Sequence, residues 1–385
     1  MFQSMNRKIL GLIISFSLLS LSCSNQNITN DFPHSPSKIP NVLIQIEGKP
    51  HKGYLLGIEP YLEKEDYLTE DTFYQLLKFY LDTAKKEELL QSDRTILIFP
   101  EYIGTWLVAS GENQNVFKEE TINAAMETLV FNHLIRYIWT YLFDTSYAKD
   151  KTKETLFRMK ALRMAETYQN VFSKLASEYR VGIVAGSIVL PEPKVVEGKI
   201  TISDGPLQNV SFYFDSTGVV HPNITRKQFL IEEEKSFLSK ENLSEDVFYN
   251  TSLGNLKIMI CADSWYPNPY ESAIKNNVTL IAIPSLVAPS KSWDEKWNGY
   301  NGEKTPSDVN KSDVHKLTEY QAWQKYALLG KAKKYKIPNG MNIFFRGKIW
   351  DLESTGDAFI IKNEKTIPVI RKKEKGLGRI YAIGI

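Results

Sequence analysis

Short apolar runs of strand length alternate along the chain with longer segments in which apolar residues recur at helical spacing. The runs 42–46 and 96–99 are typical of strands, and Pro100 ends the second. Between them, Thr69 can cap a helix whose apolar positions recur every three or four residues up to residue 84. This alternation predicts a single α/β domain over residues 41–385. Helical patterns over 162–175 and 318–335 separate the remaining strand-like runs, which are 181–185, 209–214, 256–260, 278–283, 342–345, 357–361 and 379–383.

Two stretches interrupt this alternation, residues 107–160 and residues 286–316. Both are candidates for insertions over a functional site, and the first is expected to be helical. The first carries an apolar stripe, for which we favour packing on the domain or on a second subunit. The alternative is a lid or groove for an acyl chain near a membrane. The stripe consists of Leu129, Leu134, Ile138, Trp139, Leu142 and Phe143.

The first 40 residues have the pattern of an export signal followed by a polar tether. Arg7 and Lys8 precede an apolar run at 9–21, which is shorter than the roughly 20 residues that a membrane-spanning helix needs. The sequence L-S-L-S-C that ends at Cys23 resembles a bacterial lipobox, which implies cleavage after residue 22 and lipidation of Cys23. We therefore expect an exported protein, held by this lipid to the periplasmic or cell-surface face of a bacterial membrane.

Charge and composition exclude several classes of partner. The chain has 47 basic and 45 acidic side chains, and removal of residues 1–22 takes away Arg7 and Lys8, which leaves 45 of each. Such a balance argues against nucleic acid as a partner, because that binding depends on an excess of basic side chains. Two cysteines cannot form a disulfide framework, and five scattered histidines show no metal-ligand spacing. We expect neither a metal nor another cofactor.

Three ionisable residues follow short apolar segments, which is where α/β sheets place their functional sites. Glu101 follows I-L-I-F-P, Lys227 lies in T-R-K-Q-F-L, and Cys261 follows L-K-I-M-I. Each has an ordinary explanation when it is taken singly. A cysteine at this place can be a small buried apolar residue, the lysine can belong to a solvated charge run, and the glutamate can cap a helix.

Taken together and in this order, the three residues resemble the nitrilase superfamily of carbon–nitrogen hydrolases. The resemblance is carried by the segments 99–102, 184–187, 209–218, 226–230, 254–263 and 282–285, of which G-N-L-K-I-M-I-C-A-D at 254–263 is the strongest. It covers nearly the whole chain after the tether. It implies a four-layer α-β-β-α sandwich, forming a homodimer, with Glu101, Lys227 and Cys261 as a catalytic triad.

The chemistry of amide cleavage gives each of these residues a role. Cys261 is the candidate nucleophile, because Cys23 is expected to be lipidated and a thiolate attacks carbonyl carbon better than water does. Glu101 would act as general base and acid. Lys227 would favour the thiolate and, with the backbone N–H of Ala262, hold the oxyanion of the tetrahedral intermediate.

The resemblance also implies a second glutamate and a substrate pocket. Glu234 is our choice for the second glutamate, with Glu233 next, although an exposed acidic cluster over 232–234 is the alternative. The pocket residues would be those that follow the catalytic motifs directly, although packing explains them equally well. They are Tyr102, Trp265 and Tyr266.

We therefore hypothesise thiol-dependent hydrolysis of a non-peptide carbon–nitrogen bond in a small amide or nitrile, outside the cytoplasm. One alternative is N-acyl transfer, a reaction of the same superfamily. The other is a solute-binding lipoprotein without catalysis, although such proteins usually have two similar lobes and need no thiol.

Overall fold

The computed structural model describes residues 40–240, 246–372 and 374–385. All of them belong to one compact unit. The predicted signal and lipid site at Cys23 lie outside the described residues. None of the helices in these described ranges has the length and apolar character needed to cross a membrane.

Two six-stranded mixed sheets form the centre of the molecule. In the first sheet, the C-terminal strand pairs in parallel with the N-terminal strand and antiparallel with the next one. This sheet therefore needs both ends of the described chain. In spatial order its strands are Asn41–Glu47, Leu377–Gly384, Tyr54–Glu59, Thr95–Ile98, Gly182–Val184 and Tyr213–Phe214.

The second sheet has three parallel strands at its centre and antiparallel strands at its edges. Its order is Tyr249–Thr251, Gly254–Ile258, Leu280–Ser285, Asn339–Phe344, Phe359–Lys362 and Lys365–Ile367. The smaller sheets are Thr225–Arg226 with Leu207–Ser211 and Ile188–Pro191, then Leu352–Thr355 with Arg346–Ile349 and Tyr61–Glu63, and finally Lys194–Val196 with Lys199–Thr201.

Buried side chains from both large sheets form a shared core between them. Leu55 and Ile96 of the first sheet belong to the same apolar cluster as Leu280 and Ile343 of the second. At Gly57 the sheets are so close that a Cβ atom would lie 2.1 Å from the Ile343 Cδ1 atom, which explains the glycine. The two sheets therefore stack face to face as the inner layers of the molecule.

Helices cover the outer face of each large sheet and complete an α-β-β-α sandwich. Phe172 of the longest helix contacts Phe73 of another helix and Phe99 at the end of a strand of the first sheet, with ring centroids 6.1 and 5.4 Å apart. On the other side, Tyr270 and Leu328 pack with Ile281 of the second sheet. The helices are Glu70–Lys86, Gln114–Lys118, Ile122–Asn132, Leu134–Phe143, Lys151–Tyr179, Pro267–Lys275, Glu319–Tyr326 and Leu328–Tyr335.

Six short 3₁₀ helices connect these elements within the described ranges. They are Lys64–Tyr67, Thr105–Ala109, Glu234–Ser236, Cys261–Trp265, Ser290–Asp294 and Lys311–Asp313. Two of them, Glu234–Ser236 and Cys261–Trp265, carry predicted site residues.

The four-layer sandwich predicted from the sequence is confirmed, but two of the predicted elements are wrong. The run 209–214 is broken at Phe212, and its two halves belong to different sheets. The helix predicted over 318–335 is two helices, because Ala327 has φ −96° and ψ −146°. The helices then approach closely at Gly330, where a Cβ would lie 1.8 Å from the Lys325 carbonyl oxygen.

The stretch 107–160 is helical, as expected, but its apolar stripe is only partly packed. Leu129 is buried, whereas Trp139, Leu142 and Phe143 are exposed. Packing on the domain is therefore wrong for these three residues.

Candidate active site

The three predicted catalytic residues meet at one end of the stacked sheets. Glu101 lies three residues after the strand Thr95–Ile98 of the first sheet, and Cys261 lies three residues after Gly254–Ile258 of the second. Lys227 directly follows the short strand Thr225–Arg226, which pairs with the strand Leu207–Ser211. All three are buried, with exposed fractions of 1% for Glu101, 2% for Lys227 and 7% for Cys261.

Two carboxylates hold the Lys227 ammonium group. Its Nζ atom lies 2.8 Å from Oε1 of Glu101 and 2.7 Å from Oε1 of Glu234. The side-chain amide of Asn209 donates a further hydrogen bond of 3.0 Å to the same Glu101 oxygen. Buried charges are tolerated where they are paired in this way, so these four side chains form one electrostatic unit.

Cys261 begins a 3₁₀ helix and has a left-handed backbone conformation, with φ +49°. This conformation is unfavourable for a residue other than glycine and is often found at functional sites. The sulfur lies 3.8 Å from the Leu286 carbonyl oxygen, and the charges of Glu101 and Lys227 both act on the thiol. The candidate nucleophile therefore adjoins the candidate base.

Asp263 connects the cysteine segment to the lysine segment. Its Oδ2 atom accepts a hydrogen bond of 3.0 Å from the N–H of Ile260. Its Oδ1 atom accepts bonds of 2.9 Å from the N–H groups of Gln228 and Phe229, which directly follow Lys227. One buried carboxylate thus fixes the spacing between the segments of Cys261 and Lys227.

Burial and neighbouring charges set the protonation states of the site. Burial raises the pKa of Glu101, with Lys227 acting against this effect and Glu234 adding to it. Burial disfavours the charged form of Lys227, but the two carboxylates outweigh burial and hold its pKa well above the ordinary value. Burial and the nearby Glu101 raise the pKa of Cys261 more than Lys227 lowers it. The resting site therefore holds a protonated thiol beside a firmly cationic lysine.

The structure brings Glu234 to this site and leaves the adjacent acidic residues outside it. Glu233 accepts a hydrogen bond from Asn301, and Glu232 pairs at 3.5 Å with Lys235 at the surface. Glu234 has a second partner in the hydroxyl group of Tyr102, which donates a short hydrogen bond to the Oε1 atom that also contacts Lys227.

The remaining predicted residues lie close to Cys261 with different surroundings. Ala262 is the second residue of the 3₁₀ helix, where backbone N–H groups have no partner within the helix. Trp265 packs among aromatic rings, 4.9 Å from Trp323 and 5.8 Å from Trp297. Tyr266 stacks on Phe229, with ring centroids 3.7 Å apart and nearly parallel planes.

Sequence reasoning did not assign roles to Asn209 or Asp263, although both stand in the motifs that it identified. Asn209 opens one of those motifs, and Asp263 ends another, two residues after the cysteine. An acidic residue so close to an apolar strand end was a signal for a buried hydrogen-bonding role. Within the described ranges, there is no group of three or more His, Cys, Asp or Glu side chains that could hold a metal ion.

Comparisons with known proteins give matches among solved structures only. No protein-family model matches the chain, and neither does any curated protein. The NitN amidase from Nesterenkonia sp. AN1 superposes with a TM-score of 0.51 at 11% identity, over 86% of this chain and 92% of that chain. A cysteine-to-serine mutant of the Nesterenkonia AN1 amidase, described as belonging to the nitrilase superfamily, gives a TM-score of 0.51 at 10% identity, over 87% of this chain and 92% of that chain. This chain therefore has the four-layer fold of the nitrilase-superfamily amidases.

Proposed function

We propose that this protein is a thiol-dependent hydrolase of non-peptide carbon–nitrogen bonds, with a small linear amide as its substrate. The observation that carries the proposal is the buried unit in which Lys227 joins Glu101 to Glu234, close enough to Cys261 for its charges to act on the thiol. A purely structural cysteine would need neither these charged neighbours nor a strained backbone. The similarity of the fold to amidases favours amides over nitriles.

In the proposed first step, Glu101 takes the proton of Cys261 as the sulfur attacks the carbonyl carbon of the amide. The raised pKa of Glu101 makes it a better base than an ordinary carboxylate. The negative charge that develops on the carbonyl oxygen would be held by the Lys227 ammonium group and the N–H of Ala262. Each such donor is typically worth about 3–4 kcal/mol in the transition state.

In the following steps, Glu101 returns its proton to the nitrogen as the carbon–nitrogen bond breaks, and ammonia or an amine leaves. A thioester between Cys261 and the acyl group remains. Glu101 then takes a proton from water, whose oxygen attacks the thioester, and the proton returns to the departing sulfur. The products are a carboxylic acid and the free thiol, so that one amide and one water are consumed in each turnover.

We also propose that the protein is exported and attached to a membrane through a lipid on Cys23, and that it assembles as a homodimer. Cys23 lies outside the described residues, so these proposals rest on the sequence pattern of residues 1–40 and on the resemblance.

The test combines ammonia release from a panel of short aliphatic amides with alkylation of Cys261 by iodoacetamide, followed by mass spectrometry of its peptide. We expect Cys261→Ser to abolish ammonia release. We expect Glu101→Gln to reduce turnover by at least about 100-fold, because it removes the general base. We also expect it to change the rate of alkylation, because burial and the Glu101 charge together raise the pKa of the thiol. Both changes are nearly isosteric, so folding should be retained.

Glu234→Gln and Glu233→Gln form a matched pair for the second glutamate. We expect the first to lower turnover and the second to leave it unchanged, because only Glu234 contacts Lys227. Alkylation of Cys261 that is indifferent to Glu101→Gln, together with no ammonia release from any amide, would contradict the proposed function.

A further inference from the structure

The helix Leu134–Phe143, together with the end of the helix before it, exposes a cluster of large apolar side chains. Five of them are between 61% and 81% exposed, and we call this set the apolar face. Their spacing of four residues, with a pair at the end, places them along one side of the helical path. The apolar face consists of Phe131, Ile135, Trp139, Leu142 and Phe143.

Contacts on the opposite side fix the orientation of this helix. Tyr137 and Thr140 are buried, and the helix packs against the long helix Lys151–Tyr179. At its start, His133 lies 2.9 Å from Glu112, which also pairs with Lys160 of the long helix. The apolar face therefore points outward from a helix that is held in place on its other side.

The size of the apolar face indicates that a partner covers it. Five side chains exposed to this degree present on the order of 600 Å² of apolar surface, which is as large as the largest patches of typical monomers. The face is therefore too large to be ordinary surface and marks a site of contact with a partner.

Charges beside the apolar face suit an anionic lipid surface. Within residues 131–153 there are four basic side chains and two acidic ones, a net charge of +2. Asp150 and Lys153 lie 3.5 Å apart and cancel each other, which leaves three basic residues against Asp144. The Lys151 ammonium group lies 4.5 Å from the Tyr141 ring, in the manner of side chains at an interface between lipid and water. The other charged residues are Arg136, Asp144 and Lys149.

We infer that the apolar face docks onto an anionic phospholipid bilayer, with Trp139 and its neighbours inserted at the boundary between headgroups and acyl chains. The helix has 10 residues and is thus about 15 Å long, half the thickness of the hydrocarbon layer, so it lies along the surface. Aromatic and aliphatic side chains on one face with basic residues at the edge are typical of such helices. The inference is independent of the proposed chemistry.

The high exposure of Trp139 allows a direct fluorescence test of this inference with the full chain. Trp139 is 65% exposed, whereas five of the other six are at most 7% exposed. We expect vesicles of phosphatidylglycerol and brominated phosphatidylcholine to quench most of the Trp139 emission, measured as the difference between the wild type and Trp139→Phe. The variant keeps an aromatic ring on the face, so vesicle binding should persist. Residues 1–40 are the same in both proteins, so any membrane attachment through them affects both emissions equally and is removed when the two are subtracted.

A pair of serine variants tests whether the face contributes to binding. Ile135→Ser with Leu142→Ser should weaken vesicle binding and reduce the quenching, whereas Leu162→Ser, at an isolated exposed position, should change neither. Equal Trp139 emission with and without brominated lipid would overturn the inference. So would a dimer in solution that dissociates when the face is substituted, since a second copy would then be the partner. Ammonia release in detergent is measured separately and reports only on the proposed hydrolase.

Discussion

At the scale of single residues, the Glu101 carboxylate depends on the donors that surround it. Oε1 of Glu101 accepts hydrogen bonds from Lys227 and from the side-chain amide of Asn209. Within the described part of the chain, Oδ1 of Asn209 is buried and has no hydrogen-bond partner. A buried amide with one unsatisfied atom is costly, so Asn209 is present for the bond that it donates.

We therefore predict that Asn209→Leu moves the acidic limb of the pH–rate profile to higher pH. The donor stabilises the charged form of Glu101, so its loss raises a pKa that burial has already raised. A hydrogen bond to a charged group is worth about 1.5 kcal/mol, which corresponds to roughly one pH unit. The measurement is kcat/KM for the best amide between pH 4 and 9. Ser211→Ala on the same strand is the control, because the Ser211 hydroxyl is buried without contacting Glu101. A limb that moves equally in both variants would show that Asn209 does not act through Glu101.

At the scale of elements, two segments from different parts of the chain must be held in register for Cys261 and Lys227 to act together. Asp263 supplies that register through three hydrogen bonds to backbone N–H groups, one near Cys261 and two next to Lys227. An asparagine has only one acceptor oxygen, and its NH₂ group would face an N–H donor.

We predict that Asp263→Asn lowers the free energy of unfolding by about 2 kcal/mol, the typical cost of leaving buried donors unsatisfied. We also expect slower alkylation of Cys261, because the thiol would no longer be fixed beside Glu101. Urea unfolding and the iodoacetamide rate measure the two effects. Asp93→Asn is the control, since Asp93 pairs with Arg180 at an exposed site, where ion pairs contribute little to stability. Equal losses in the two variants would contradict a special role for Asp263.

Some of the helices and strands could be predicted from the sequence, and others could not. Local signals were sufficient for the helix Glu70–Lys86, where Thr69 caps the first turn as predicted. The break at Ala327 has no such signal, because alanine is the best helix former and the break depends on the packing of two helices. The strand Tyr54–Glu59 was missed, since it is buried along its whole length and shows no alternation.

For the site, the motifs predicted which residue types would meet, but not the contacts between them. The resemblance favoured Glu234 over Glu233, but the 2.7 Å contact between Glu234 and Lys227 could not be read from two adjacent glutamates in the sequence. The exposure of Trp139 was equally unpredictable. An apolar stripe on a helix indicates that the helix is amphipathic, but it does not identify the partner of its apolar side.

At the scale of the whole molecule, the two large sheets are joined by a buried polar contact as well as by their apolar core. Glu59 of the first sheet accepts a hydrogen bond of 2.9 Å from the N–H of Phe344 in the second. Its other oxygen lies 3.9 Å from Arg379, which is fully buried and bonds to Asp357. Burial raises the pKa of Glu59 to about 7, in spite of the arginine nearby. The contact between the sheets therefore includes a carboxyl group, that of Glu59, whose protonation changes near pH 7.

The direction of the Glu59 pKa shift predicts how the stability of the fold changes with pH. Because the pKa of Glu59 is higher in the folded state than in the unfolded chain, the folded state holds the proton over the range between the two values. The stability that Glu59 contributes is therefore fully present below about pH 4.5 and is lost as the pH rises through about 7. Glu59→Gln keeps an acceptor for the Phe344 N–H and has no proton to lose.

We expect the difference in free energy of unfolding between the wild type and Glu59→Gln to shift in favour of the variant by up to about 3 kcal/mol between pH 4.5 and 9. Urea unfolding at several pH values measures this difference, in which the titration of all other groups cancels. Glu47→Gln, at an exposed strand end of the same sheet, is the control. A shift in the opposite direction would mean that Glu59 is stabilised as a carboxylate by Arg379. The buried contact would then join the sheets as an ion pair, and acid rather than alkali would weaken it.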